Sequence, residues 1–248
     1  MNNSAINRAL LEDCKGRIDQ NGIMHHPFLL RVEAGMLKPE QIPLFITHWY
    51  KTAQAHREAF PGIIANIKDD EIRFELINIL HEEYGSGDQS RIHVRILDRL
   101  LSASNLTLAD VDSTKTLPAT VEFNEVVSDL WSNGEHPVAY GLHFGLEYLA
   151  SAQQQYFSRG MAKYGFLSLY DREYFDLHAE AEVRHVACSE PGFLLYAQDM
   201  KNHKKLLHGI QTAEHLLGKL WDEFDKLFFS EWQKKNVSSI KMEAEMLA

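Results

Sequence analysis

A chain of 248 residues with 45% hydrophobic and 24% charged residues can build a large core, and this composition excludes a disordered polymer. Its formal charge of −10 disfavours nucleic acid or an anionic membrane as the main partner, since either needs a clustered basic face and Lys201, Lys204 and Lys205 make only a small patch. Two cysteines, Cys14 and Cys188, form no Cys-x-x-Cys pair, no stretch nears eighteen apolar residues, and the N-terminus lacks a basic start followed by an apolar run, so a reduced, cytoplasmic protein is expected.

Helical periodicity runs through nearly every long segment, and alternating runs bounded by turn signals are scarce. The expected fold is all-α, one domain over 1–248 with about seven to eight helices. A first helix from about Ser4 to Gln20 stops at Asn21-Gly22, and His25 to Phe28 introduces a short segment reaching Gly35. Lys38-Pro39-Glu40 starts a helix in which Pro61 is read as a kink rather than a stop, because Ile63 to Ile67 stays apolar. Asp69-Asp70 suits the N-terminus of the next helix, which reaches Tyr84 before Gly85-Ser86-Gly87 interrupts it. The pattern resumes from Gln89 to Ser102, while Thr107 to Lys115 is polar and reads as a loop with a short turn. Pro118 to Trp131 forms a helix closed by Asn133-Gly134, and Pro137 opens a long apolar one to about Tyr164, with Gly141 and Gly145 marking a close helix approach. Another helix begins at Tyr170 or Asp171. The last, from about Met200 to Trp232, carries a core stripe that includes Leu206, Ile210, Leu217 and Phe224, and the tail 234–248 is expected to fray.

The chemistry concentrates in Tyr174 to Ser189, YFDLHAEAEVRHVACS. At about 100° per residue, His178, Glu182 and His185 fall within roughly 60° of arc and share one face. Two imidazoles and a carboxylate so placed suit a transition metal, and Glu-x-x-His is the unit that di-iron carboxylate bundles repeat on facing helices. The opposite face offers Phe175, Val183 and Val186 for packing, so the sequence lets the triplet look inward or outward. Cys188 reads as a buried structural thiol.

Two further segments offer partners for the triplet. Glu147 stands among Leu142, Phe144, Leu146 and Leu149, where a charge is costly unless it meets a cation or metal; His143, one turn earlier, reads as a hydrogen-bonded core histidine. In HEEYGSGDQSRIH, Glu82 would lie about 20° out of phase with His93 on one continuous helix and Glu83 about 80°. The glycines break that continuity, so the phase favours Glu82 only mildly. Glu82, His93, Glu147, His178, Glu182 and His185 would supply three imidazoles and three carboxylates, a set suited to iron or manganese and less to zinc. Three carboxylates against two divalent cations leave one positive charge, which an anionic substrate group or a reduced-oxygen species can offset. Trp49, Tyr50 and His56 are expected to be ordinary core or surface residues.

These motifs resemble the haem-oxygenase-like di-iron oxidases, a non-haem family that shares its helical scaffold with thiaminase II (TenA) and the pyrroloquinoline quinone synthase. The resemblance spans roughly residues 20 to 230. It rests on HPF at His26 to Phe28, AFP at Ala59 to Pro61, Asn78 through EEYG at Gly85, His93, Glu147, and YFxxHxEAEVRH at Tyr174 to His185. Within the family the motifs resemble the branch of the Chlamydia protein associating with death domains, which has Asp at the position of Glu182. What the resemblance implies is a haem-oxygenase-like bundle in which Glu82, His93, Glu147, His178, Glu182 and His185 bind two irons, with manganese an alternative metal. Because SGDQSRI lengthens the first pair, Glu83 competes with Glu82, and Glu58 is a candidate for an extra carboxylate that some members recruit.

The implied activity is dioxygen-dependent oxidation of a small organic molecule, an amino acid, an amine or a fatty-acid-like compound, by a protein compatible with a homodimer. The para-aminobenzoate-forming branch has a Tyr directly after HxF and a Lys ten residues beyond the middle Glu; Leu29 and Phe157 hold those places here and argue against that activity. The alternative is a metal-independent enzyme like TenA or the quinone synthase, or a ligand- or partner-binding bundle. A thiaminase-like reaction needs a nucleophilic cysteine beside acidic residues, a setting that neither Cys14 nor Cys188 has in the sequence.

Overall fold

The computed structural model describes residues 3–246, with side chains from 5 to 230. The described residues form ten α-helices and no strand: α1 (Asn3–Gln20), α2 (Pro27–Glu33), α3 (Ile42–Asn66), α4 (Asp70–Glu83), α5 (His93–Ala103), α6 (Leu108–Ser113), α7 (Pro118–Asn133), α8 (His136–Met161), α9 (Glu173–Tyr196) and α10 (His203–Met246). The all-α expectation holds. The higher count comes from α2 and α6, which have seven and six residues. In the polar stretch read as a loop, the Asp110 carboxylate accepts from Thr107 N at 2.8 Å while the Thr107 hydroxyl accepts from Asp110 N at 3.3 Å, and this reciprocal cap starts α6, which buries Val111. The backbone of α10 extends past the expected end at Trp232, and residues 247–248 of the tail lie outside the described residues.

α3 continues through Pro61, which faces solvent, and the Asp69 carboxylate caps α4 by accepting from Glu71 N at 3.0 Å and Ile72 N at 3.1 Å. The centre of the bundle is α8, which packs along α9 and α10 and is crossed by α2. Its approach to α10 requires glycine: a Cβ on Gly141 would stand 2.2 Å from the Leu206 carbonyl oxygen. Beside it, Phe28, Phe45, Phe157 and Phe224 form a knot of edge-to-face contacts with Phe157 to Phe45 at 5.3 Å and Phe28 to Phe224 at 5.4 Å. Each such pair adds about 0.5–1.5 kcal/mol beyond the burial of its rings. Among the described residues, no helix is long and apolar enough to cross a membrane.

The connection from α4 to α5 decides how the site is assembled. Gly85, Ser86 and Gly87 take φ of 81°, 51° and 93°, so the chain leaves α4 through a left-handed turn instead of continuing as helix. At Gly85 a Cβ would also stand 2.2 Å from the Asp88 carbonyl oxygen. Arg91 and Arg99 both donate to the Glu173 carboxylate, tying the end of this connection and α5 to the start of α9.

Candidate metal centre

The triplet on α9 looks inward. His178, Glu182 and His185 are 3%, 7% and 2% exposed, whereas Val183 on the other face is 52% exposed. Glu147 reaches them from α8 and is itself buried, His93 comes from the first position of α5, and Glu83 from the last position of α4. Two adjacent groups result, Glu83 with His93 and His178, and Glu147 with Glu182 and His185. Within each, one ligand atom per residue lies within 4.8 Å of the others.

In the first group, His93 Nδ1 is 2.9 Å from Glu83 Oε1 and 3.2 Å from His178 Nε2. His178 Nδ1 donates to the Tyr174 carbonyl oxygen at 2.7 Å, which orients the ring and aims Nε2 at the group. In the second, His185 Nδ1 is 3.3 Å from Glu147 Oε2 and 3.4 Å from Glu182 Oε2. Its other nitrogen, Nε2, lies 3.5 Å from Glu82 Oε2, and Glu82 is held by Arg184.

The structure therefore brings together five of the six residues expected from the sequence and puts Glu83, not Glu82, beside His93 and His178. The 20° phase that favoured Glu82 presumes an unbroken helix, which the turn at Gly85 removes. A signal for Glu83 was present all the same: the buried stripe Ile72, Leu76 and Ile79 extends at helical spacing to position 83. Glu58 is exposed, accepts from Gln54 at 2.9 Å and belongs to neither group. His143 is a core histidine as expected, its Nε2 2.9 Å from Ser189 Oγ; because that hydroxyl donates to the His185 carbonyl oxygen at 2.8 Å, it accepts from the ring. Cys188 is half-buried rather than buried.

Burial works against every charge here, and neighbours decide the outcome. Burial raises Glu83, but hydrogen bonds from His178 and His93 outweigh it and hold the carboxyl well below its usual range. Glu182 is pushed up by burial and by the charge of Glu147, while Glu147 is held low by His185 against its own burial. Two carboxylates and an imidazole packed this closely call for a cation, and a divalent metal satisfies all three at once. The donors are oxygen and imidazole nitrogen without thiolate, a chemistry that fits iron.

Both groups border one cavity of about 90 Å³. Its apolar wall includes Trp49, Phe60, Phe123, Leu146 and Leu217, and its other polar residues include His56, Arg57 and Gln154. Trp49 and His56 thus line the cavity, contrary to the sequence expectation, whereas Tyr50 donates to Asp98 at 2.8 Å and takes no part in the wall. Neither cysteine lines it, and burial pushes the Cys14 thiol up to about 11.

The sequence profile of a family described as iron-containing redox enzymes matches residues 44–218. A comparison with curated proteins gave no match. Among solved structures, a CADD-like protein of unknown function from Nostoc punctiforme PCC 73102 aligns with a TM-score of 0.68 at 14% identity, over 90% of this chain and 99% of that one. A TenA homologue from Pseudomonas syringae pv. tomato DC3000 gives 0.67 at 10% identity, over 87% and 90%. A domain of unknown function with a haem-oxygenase-like fold from Shewanella denitrificans OS217 gives 0.65 at 16% identity, over 90% and 92%. Identities this low speak for the fold alone, a haem-oxygenase-like bundle.

Proposed function

The chain belongs to the family of iron-containing redox enzymes, and from that premise we propose that it is an oxygen-dependent oxidoreductase that holds two irons and oxidises a small organic molecule. The observation that carries this reading is the pair of adjacent, buried ligand groups bordering one cavity. Glu83, His93 and His178 would hold one iron, and Glu147, Glu182 and His185 the other. When bound, the irons supply the redox chemistry and an acceptor for dioxygen.

The protein's own residues do the rest. The Tyr174 carbonyl keeps the His178 ring turned toward Glu83. Glu82, anchored by Arg184, faces Nε2 of His185 and favours a proton there, which leaves Nδ1 free toward Glu147 and Glu182. Trp49, Phe60, Phe123, Leu146 and Leu217 keep bulk water off the groups and give an organic substrate an apolar surface. A thiaminase-like reaction gains no support, because no thiol borders the cavity.

The test is an anaerobic ferrous titration of metal-free protein followed by an oxygen pulse, read by absorbance and Mössbauer spectroscopy, with His178→Ala alongside. About two irons per chain and an oxygen-dependent di-ferric signal, lost in the variant, are the expected result. Failure to take up iron specifically would overturn the proposal.

A further inference from the structure

Arg57 stands out among the arginines of this protein. Arg31, Arg99 and Arg172, similarly sunk into the surface, are paired with Asp225, Glu173 and Asp176. Arg57 has no carboxylate within ion-pair distance among the described residues, although it is only half-exposed and borders the metal-centre cavity. One terminal nitrogen donates to the Tyr84 hydroxyl at 3.1 Å, and the guanidinium carbon lies 5.4 Å from the Tyr84 ring centroid. Its Nε is buried and has no hydrogen-bond partner. A guanidinium left with a buried, unused donor is costly, and an anion in the cavity removes that cost.

A second unsatisfied group lies further along the cavity. Gln154 is 3% exposed, and its Oε1 is buried without a hydrogen-bond partner, while the adjacent Gln153 Oε1 accepts from Trp221 at 2.8 Å. Phe60 packs on His143 at 5.5 Å and Trp49 on Phe157 at 5.0 Å, so α3 and α8 run antiparallel. Arg57 accordingly lies near the level of Glu147, and Gln154, two turns along α8, near the level of Trp49 and Ala53, roughly 10 Å away. The wall between those levels carries Ala53 and Ala150, with Leu146 at the Arg57 end and Trp49 at the Gln154 end.

Charge points the same way. Glu83, Glu147 and Glu182 against two divalent cations leave one positive charge, and Arg57 adds a second; Glu82, already neutralised by Arg184, does not offset it. We infer that Arg57 is the anion-recognition residue of this cavity, and that the substrate class is an organic carboxylate whose apolar body extends from Arg57 toward Trp49 and carries a hydrogen-bond donor at the end that meets Gln154. This inference rests on the di-iron reading for its charge balance. Arg57 contributes binding and orientation, not a metal ligand.

The test is isothermal titration calorimetry on the anaerobic, ferrous-loaded protein, with iron content measured on the same sample. The probes are monocarboxylates of about four to ten carbons, with and without a terminal hydroxyl, each paired with its primary amide. The cavity should bind one or more carboxylates more tightly than the matching amides. Arg57→Gln should weaken the carboxylates about tenfold or more and leave the amides nearly unchanged, and Arg57→Lys should restore part of the preference. Circular dichroism and the thermal midpoint establish that both variants are folded.

Amides binding as well as carboxylates, a carboxylate preference that survives in Arg57→Gln, or no saturable binding by any probe would each overturn the inference. Iron bound without Arg57 dependence removes the anion site and spares the di-iron reading. Arg57-dependent carboxylate binding in a chain that takes up no iron removes the di-iron reading and supports the anion site.

Discussion

His93 Nδ1 stands 2.9 Å from Glu83 Oε1, although the two residues belong to different helices separated by a left-handed turn. His93 opens α5 and Glu83 closes α4, so the turn at Gly85 to Gly87 sets their separation rather than the pitch of a helix. Substitutions at the neighbouring glutamates should therefore differ in kind. Glu83→Ala removes a member of the first group and should reduce tight ferrous binding from about two per chain to about one. Glu82→Ala removes only the carboxylate facing Nε2 of His185, and should keep two irons at saturation while lowering affinity about 10–100-fold. Metal analysis after anaerobic titration distinguishes the two.

Gly85→Ala forces a side chain into a left-handed backbone and against the Asp88 carbonyl. The conformation costs about 1–2 kcal/mol and the crowding about 1–3 kcal/mol, so urea denaturation should show a loss of about 2–5 kcal/mol. Gly87→Ala is the internal control. Its φ is also positive, but nothing lies within 4 Å of the added Cβ, and only the conformational part should appear.

Iron should stabilise the fold. A ligand that binds only the folded state at a hundred times its dissociation constant adds about 2.7 kcal/mol. For a chain of this size each kcal/mol raises the thermal midpoint by about 2–4 °C, so calorimetry should find the loaded protein about 5–10 °C above the metal-free one. His178→Ala should lose much of that gain.

Glu173→Ala breaks both ion pairs that tie Arg91 and Arg99 to the start of α9. The pairs are partly exposed, so the stability loss should be about 1 kcal/mol by urea denaturation. Iron stoichiometry should not change, because the turn and not this clasp brings Glu83 to His93.

Most of the fold is readable from local signals. Asp69, Pro118 and Gly141 mark a cap, a helix start and a close helix contact, and the structure uses each in that way. α6 escaped because its stretch is polar, with a reciprocal cap at Thr107 and Asp110 and the single buried residue Val111. In the site, His178, Glu182 and His185 share a face through the helical period alone, a local property. Glu83 depends on where the chain goes after Gly85, and extrapolating the helix across that turn points to Glu82, whereas the structure places Glu83 beside His93 and His178. Arg57 and Gln154 carry no motif at all. Their interest lies in two buried atoms without a hydrogen-bond partner, Arg57 Nε and Gln154 Oε1, in residues that line one cavity, and only the assembled bundle reveals that.

The measurement that tests the account most directly is anomalous diffraction at the iron absorption edge from crystals of the ferrous-loaded protein, grown without oxygen. The account predicts two anomalous peaks, one bounded by Glu83, His93 and His178 and the other by Glu147, Glu182 and His185. A single peak, a peak ligated by Glu82 in place of Glu83, or no peak at these residues in iron-loaded crystals would contradict it.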